Sequence, residues 1–285
     1  CGTNLKGFEK EVFFTFDDGP SAYGKILKKD VDIYEPIKDP IAREFIKKEL
    51  PNYDFNKTAT ENLLDLLKEH NIKAIFFLWG QSIRSNPNAN HIIQRMIREG
   101  HVIGNHSYSH YYSTKEPFDR VAEDFVKNHK VISELAGSEV KFFRPPYGDW
   151  RPNLTKKFLD VPALRHYGFP LLWTNMFHEW ALKSTADLEN LHDRVKSFRE
   201  DCKDGKVRAI LLHDIYIPGV MLASILIGEA QKLGYKIGDA NRLAQNVIKK
   251  SQLFHKFPFL YYIKKIPSRL WHKLNQVKPL TTKAL

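Results

Sequence analysis

Cysteine is scarce in this chain, with two residues, Cys1 and Cys202, in 285. That excludes a disulfide framework, and no zinc-finger spacing accompanies them, so the fold has to rest on a buried core. Long apolar runs are missing too. No stretch of about 18 uninterrupted apolar residues occurs, so the sequence contains no transmembrane helix. Repeats, low-complexity segments and Gly/Ser-rich linkers are also absent, which makes one domain the simplest organisation. A composition of 42% hydrophobic and 27% charged residues is that of an ordinary folded protein rather than a disordered one.

Acidic residues are lacking in one particular place. Residues 251–285 hold seven Lys or Arg and no Asp or Glu, so most of the formal charge of +11 belongs to this tail. A basic surface suits an anionic partner, but no nucleic-acid-binding motif accompanies it, and nucleic acid is not expected as a partner. Phe254, Phe257, Phe259, Tyr261, Tyr262 and Trp271 are interleaved with the basic residues, while Ile263, Ile266, Leu270 and Leu274 recur at helical spacing. Such a tail fits either an anionic membrane surface or packing back on the main domain. The Cys1-Gly2 start fits either the acylated terminal cysteine of a bacterial lipoprotein or an incidental end.

What is present is an alternation of short apolar runs and amphipathic segments. Strands are expected at 11–16, 74–79, 102–103, 140–143, 169–173 and 207–212. Helices are expected from Thr58, at 92–98, 118–135, 153–167, 185–203 and 219–233. Thr58 and Glu61 form a capping-box pattern, with Leu63, Leu64, Leu66 and Leu67 as the apolar face behind it. The stretch Ser21 to Lys57 is long for a loop, includes a possible short helix at 40–50, and is expected to form one wall of a cleft. The class is therefore α/β with a mainly parallel sheet.

Polar residues gather just after the strands, where active sites lie in such folds. Asp17 and Asp18 end the first strand, and two adjacent carboxylates call for a nearby positive charge such as a divalent metal. His106 and His110, four residues apart, read as one helical turn able to face a single ion with Asp18. Arg144-Pro145-Pro146-Tyr147-Gly148 follows a strand and offers a rigid backbone N–H and a cation for Asp17, although a stiff surface turn would read the same way. His213 ends a later strand and is suited to proton transfer near neutral pH, as well as to an ordinary buried role.

In this order, Thr15-Phe16-Asp17-Asp18-Gly19-Pro20, His106-Ser107-Tyr108-Ser109-His110, Arg144-Pro145-Pro146-Tyr147-Gly148 and Leu211-Leu212-His213 resemble the NodB-type polysaccharide deacetylases, the fourth carbohydrate esterase family. The resemblance covers roughly residues 11–240. It implies a distorted (β/α) barrel and metal-dependent removal of acetyl groups from N-acetylated amino sugars. The polymer would be peptidoglycan, chitin oligomers or an exported glucosamine polymer, met in the periplasm or cell envelope.

Carried over, the resemblance makes Asp17 the general base, with Asp18, His106 and His110 as ligands of Zn2+, or of Co2+, Ni2+ or Mn2+. His213 becomes the acid, the Tyr147 amide the oxyanion donor and Arg144 the tether of Asp17. Trp180 and Leu211, with Tyr147, would line the substrate side. The catalytic domain is taken as 1–250 with an insertion at 21–57, followed by the basic extension 251–285.

One motif departs from the family. Residues 174–180 read Thr-Asn-Met-Phe-His-Glu-Trp, so Glu179-Trp180 is kept while an earlier carboxylate expected to pair with the arginine is missing. Glu179 is then the nearest candidate partner for Arg144, and His178 is read as a surface residue. A catalytically weak wall-binding protein is the alternative reading.

Overall fold

The computed structural model describes residues 8–21, 44, 47–48, 50–182 and 191–256. Cys1, most of the 21–57 insertion and the tail from residue 257 onward lie outside these residues. The seven buried residues of β1 (Glu11–Asp17) form the central strand. In chain order there follow α1 (Ala59–Glu69), β2 (Ile75–Leu78), α2 (Gly80–Ser85), α3 (Ala89–Arg98), β3 (Val102–Asn105), α4 (Phe118–Ala136) and α5 (Pro152–Asp160). The series ends with β4 (Asn175–Met176), α6 (Leu191–Cys202), β5 (Arg208–His213), α7 (Ile217–Lys232), β6 (Lys236–Ile237) and α8 (Ala240–Lys256).

All the pairings within the sheet are parallel, in the order β3-β2-β1-β5-β4, and β6 joins the start of β1. Beyond β3 the ladder shrinks to a bridge between Asn105 and Phe143. The gap between that bridge and β4 is spanned by single backbone hydrogen bonds, from Gly168 to Lys141, Leu171 to Phe143, and Thr174 to Ala209. The sheet thus curls toward a barrel whose last seam is irregular. A strand expected at 169–173 is not formed. Pro170 has no N–H to give a ladder, and the regular pairing waits until Asn175. The helix expected to reach residue 167 stops at Asp160, because Pro162 follows and cannot continue it.

Alternation along the strands divides the interior in two. Val12, Phe14, Phe16, Phe76, Leu78, Ile210 and Leu212 face the helices and join their apolar sides, such as Leu63, Leu64 and Leu67 of α1. Phe13, Ile75, Phe77 and Ala209 face the other way and pack with Leu171 and with Ala240, Leu243, Ala244 and Val247 of α8. Helix α8 meets the strands at their N-terminal ends: Ala240 N donates to Lys73 O, Asn241 to Gly100 O, and Arg242 pairs with Glu11. It forms a floor, and it continues past residue 250, where the extension was expected to begin.

Local chemistry explains the element ends. The Thr58–Glu61 capping box is formed in full, each side chain accepting from the other's backbone N–H. Gly137 closes α4 at φ 63°, a conformation that suits glycine. At Gly219 a side chain would lie 2.0 Å from the His213 carbonyl oxygen, so only glycine lets α7 begin this close to the end of β5.

Candidate metal centre

The opposite, C-terminal ends of the strands collect the polar residues. In the β1–β5 register Asp17 stands beside His213, so the two project to the same side of adjacent strands. Leu211 pairs with Thr15 two positions below and is buried within the sheet. Asp18 leaves β1 at φ 74° and its N–H bonds to Phe77 O at 3.2 Å, which turns its side chain over the rim. His106 follows β3, its N–H bonded to Leu78 O at 3.0 Å.

His106 and His110 are not on a helical turn, contrary to the reading of their spacing. Ser107 and His110 adopt φ of 65° and 60°, and the loop between them is built on Asp124 of α4, whose Oδ2 accepts from the Tyr108 and Ser109 N–H groups at 3.0 Å each. The loop still achieves what the helix was expected to do. His110 Nε2 lies 3.2 Å and His106 Nε2 3.4 Å from Asp18 Oδ1, and the ligand atoms of all three residues fall within 4.8 Å of one another.

These residues fit a divalent cation on their own chemistry. His106 Nδ1 lies 2.8 Å from the Arg144 carbonyl, to which it can only donate, so its Nε2 lone pair faces Asp18. Asp18 Oδ1 is buried with no hydrogen-bond donor. Burial would raise the Asp18 carboxyl, but His110, His106 and His213 outweigh it and hold the group well below the usual carboxylate range. Burial lowers His106, favouring the neutral imidazole that binds metals. Two nitrogens and one carboxylate oxygen suit zinc or another first-row divalent ion with positions left for water and substrate.

Two ion pairs flank this cluster. On one side Asp17, 2% exposed, accepts from Arg144 Nη1 at 2.7 Å. Arg144 is fully buried inside the curled sheet. Its Nη2 donates to Thr15 Oγ1 at 2.9 Å, its Nε donates to Leu171 O at 2.7 Å, and its guanidinium carbon sits 4.2 Å from the Phe77 ring centre. A hydroxyl and a carbonyl thus engage the other two guanidinium nitrogens, and among the described residues no second carboxylate pairs with it. Glu179 does not meet Arg144 as expected. Instead its Oε1 accepts from the His213 backbone N–H at 2.8 Å and pairs with His213 Nδ1 at 2.8 Å. Burial disfavours a charged His213, but Glu179 more than offsets it and, with Asp18 and Asp17, pushes the imidazole up to about 9. His213 Nε2 faces Asp18 Oδ2 at 3.9 Å.

Around the opening stand the exposed aromatics Tyr112, Tyr147 and Trp180. Tyr147 has φ 60° within the short turn Pro146–Gly148, a left-handed conformation that costs a bulky residue about 1–3 kcal/mol. His178 is exposed, as read, with its ring 5.6 Å from that of Trp180. Thr15 was quoted as the start of the first motif without a role, while Asp124 and the pair Thr114–Asp149 were not singled out from the sequence. Asp149 directly follows the Arg144–Gly148 motif, and that adjacency was the one available signal.

Fold and site together define an α/β protein of curled parallel sheet with a candidate mononuclear metal centre at its strand ends. The sequence model of the polysaccharide deacetylase family matches residues 50–163, and over that stretch the chain is similar to the family. The match takes in His106, His110, Arg144 and Tyr147 and leaves Asp17, Asp18, Glu179 and His213 outside it. Over 97 residues, 34% of each chain, it is 44% identical to the peptidoglycan-N-acetylglucosamine deacetylase of Bacillus cereus. Over 213 residues, 75% of this chain and 26% of the relative, it is 30% identical to a bifunctional xylanase/deacetylase of Pseudobutyrivibrio xylanivorans. The chain therefore spans about a third or less of the length of these relatives. The fold is shared with the chitin deacetylase of Colletotrichum lindemuthianum at a TM-score of 0.62 and 19% identity, over 83% of this chain and 88% of that one.

Proposed function

We propose that this protein is a metal-dependent deacetylase that hydrolyses the N-acetyl amide of amino sugars in a polysaccharide, with peptidoglycan N-acetylglucosamine as the substrate and an extracytoplasmic site of action. The observation that carries the reading is the arrangement of Asp17–Arg144 and His213–Glu179 on either side of the Asp18, His106, His110 cluster. A base and an acid flanking one electrophilic centre are what hydrolysis of an amide requires. The peptidoglycan deacetylase among its relatives supports the choice of polymer.

A divalent ion held by Asp18, His106 and His110, zinc being the best match to the donor set, would supply Lewis-acid polarisation of the acetyl carbonyl and activation of water. Asp17 Oδ2, the oxygen that Arg144 leaves free, takes the proton of the attacking water. The Tyr147 N–H, aimed by its left-handed turn, donates to the oxyanion that develops on the carbonyl oxygen. His213 Nε2 delivers a proton to the departing nitrogen, while Glu179 holds Nδ1–H and so fixes which nitrogen faces the substrate. Water and amide become acetate and a free amine.

Retention of both proton-transfer pairs favours turnover over a wall-binding protein without it. The test is acetate release from N-acetylglucosamine oligomers and from peptidoglycan, with the protein zinc-loaded and after chelation. Release that depends on the metal is expected. No release from either substrate by fully loaded protein would refute the reading.

A further inference from the structure

Between His110 and α4 runs the segment 111–117, whose first five residues, the loop 111–115, are tied at two points to the Tyr147 turn. The Tyr112 ring lies parallel to the Tyr147 ring, with centroids 3.9 Å apart and planes 6° from one another, and the Tyr147 ring in turn meets His110 at 4.6 Å. Lys115 Nζ sits 3.9 Å from the Tyr112 ring centre. At the far end of the turn, Thr114 gives its N–H to Asp149 Oδ2 at 2.8 Å and its hydroxyl to Asp149 Oδ1 at 2.8 Å. Asp149 N–H itself closes the turn on Pro146 O at 3.0 Å. Tyr111 anchors the loop to α4, its hydroxyl accepting from Arg120 at 2.9 Å with the guanidinium 4.4 Å from its ring.

The tyrosine pair is not core: Tyr112 is 39% and Tyr147 53% exposed. Exposed aromatics in face-to-face register, beside a strained backbone, need a reason other than burial. Tyr147 at φ 60° is followed by Gly148 at φ 66°, two consecutive left-handed residues that would relax if nothing over-determined them. The Trp173 ring packs so close to Gly148 that a Cβ there would lie 2.7 Å from it. The 111–115 loop supplies the remaining restraint on the solvent side.

We infer that loop 111–115 is a brace in which Tyr112 and Thr114 are positioning residues, locking the Tyr147 N–H and the His110 imidazole into one rigid unit. The inference rests on the functional reading above for the role of the Tyr147 amide. It assigns the loop to the step in which the carbonyl gains negative charge, and not to sugar binding. Misplacement of a donor by a fraction of an ångström to an ångström weakens transition-state contacts with little effect on ground-state affinity.

The experiment compares Tyr112→Ala, Tyr112→Phe, Thr114→Val and Thr114→Ser in the zinc-loaded protein, with folding checked by urea unfolding. Tyr112→Ala and Thr114→Val are expected to lower kcat about tenfold with KM within about twofold of the parent. Tyr112→Phe and Thr114→Ser, which keep the stack and the hydroxyl, are expected to retain the parental kcat. A second readout is the visible spectrum of cobalt-loaded protein without substrate, whose bands are expected to shift in Tyr112→Ala and not in Tyr112→Phe. Parental kcat in both Tyr112→Ala and Thr114→Val, or a loss confined to KM, would overturn the brace. If the parent itself releases no acetate, the functional reading has failed while the cobalt spectra still decide, identical bands in Tyr112→Ala and parent then refuting the brace.

Discussion

Replacing Arg144 tests a fully buried side chain with three polar partners. Its guanidinium, wholly buried, reaches three acceptors in three directions: Asp17 Oδ1 at 2.7 Å, Thr15 Oγ1 at 2.9 Å and Leu171 O at 2.7 Å. In Arg144→Met the Asp17 carboxylate loses its cation inside the sheet, and breaking a buried pair from one side costs about 3–5 kcal/mol. In Arg144→Lys a single ammonium replaces the fork and cannot reach all three acceptors. An acceptor left bare costs about 1–3 kcal/mol, so with one out of reach a loss of about that size is expected. Against a typical stability of about 5–15 kcal/mol, the methionine variant is the one at risk of not folding. The carbonyl that holds His106 Nδ1 belongs to the Arg144 backbone, so metal affinity should survive both changes. Urea unfolding gives the stability loss, cobalt titration the affinity, and acetate release a kcat lowered about a hundredfold in the lysine variant as Asp17 loses its orientation. An Arg144→Lys protein with parental kcat and stability would refute the idea that three-way anchoring matters.

His110→Ala and Asp18→Asn should weaken cobalt or zinc binding at least tenfold while leaving the unfolding midpoint of the metal-free protein nearly unchanged, as read by calorimetric titration. Asp17→Asn and His213→Ala should each cut kcat by roughly a hundredfold or more with metal still bound; near-normal turnover in either removes that residue from proton transfer. Away from the site, Arg199 first and then Lys232, against a burial that raises it, draw the Glu229 carboxyl down to about 2. A depressed carboxyl stabilises the fold above its unfolded value near 4.5, and that contribution fades as pH falls toward 2. Glu229→Gln should therefore destabilise by about 1 kcal/mol or less at pH 7, Arg199 and Lys232 being largely exposed, and by almost nothing at pH 2 in acid-dependent unfolding.

The residues that the chain itself writes as short strings were legible: Asp17-Asp18, His106 and His110, Arg144 to Gly148, and His213, each placed directly after an apolar run. Periodicity located β1, β2, β3, β5 and most helices for the same reason, since each pattern is local. What could not be read depends on which strands become neighbours. Glu179 looked like a partner for Arg144 along the chain, yet β4 and β5 pair side by side and bring it to His213 instead. The His106–His110 spacing suggested a helix because four residues make one turn, whereas Asp124, fourteen residues beyond His110, imposes a loop with the same outcome. Helix α8, with its small residues Ala240 and Ala244, carries a pattern whose purpose appears only once the curled sheet needs a floor.

Seven described residues other than glycine have positive φ, and five of them, Asp18, Ser107, His110, Tyr147 and His178, stand at the strand ends around the candidate centre. The two ends of the protein are therefore under opposite selection. At the floor, where α8 packs on Phe13 and its neighbours, a better-packed residue is simply a gain in stability. At the rim the easiest route to a more stable protein is to let the backbone relax, for instance by placing glycine at 18, 110 or 147, and each such change removes a side chain the site depends on. Thermal selection applied without an activity screen would thus be expected to erode this protein from the rim inward, leaving a well-folded sheet with no chemistry at its mouth.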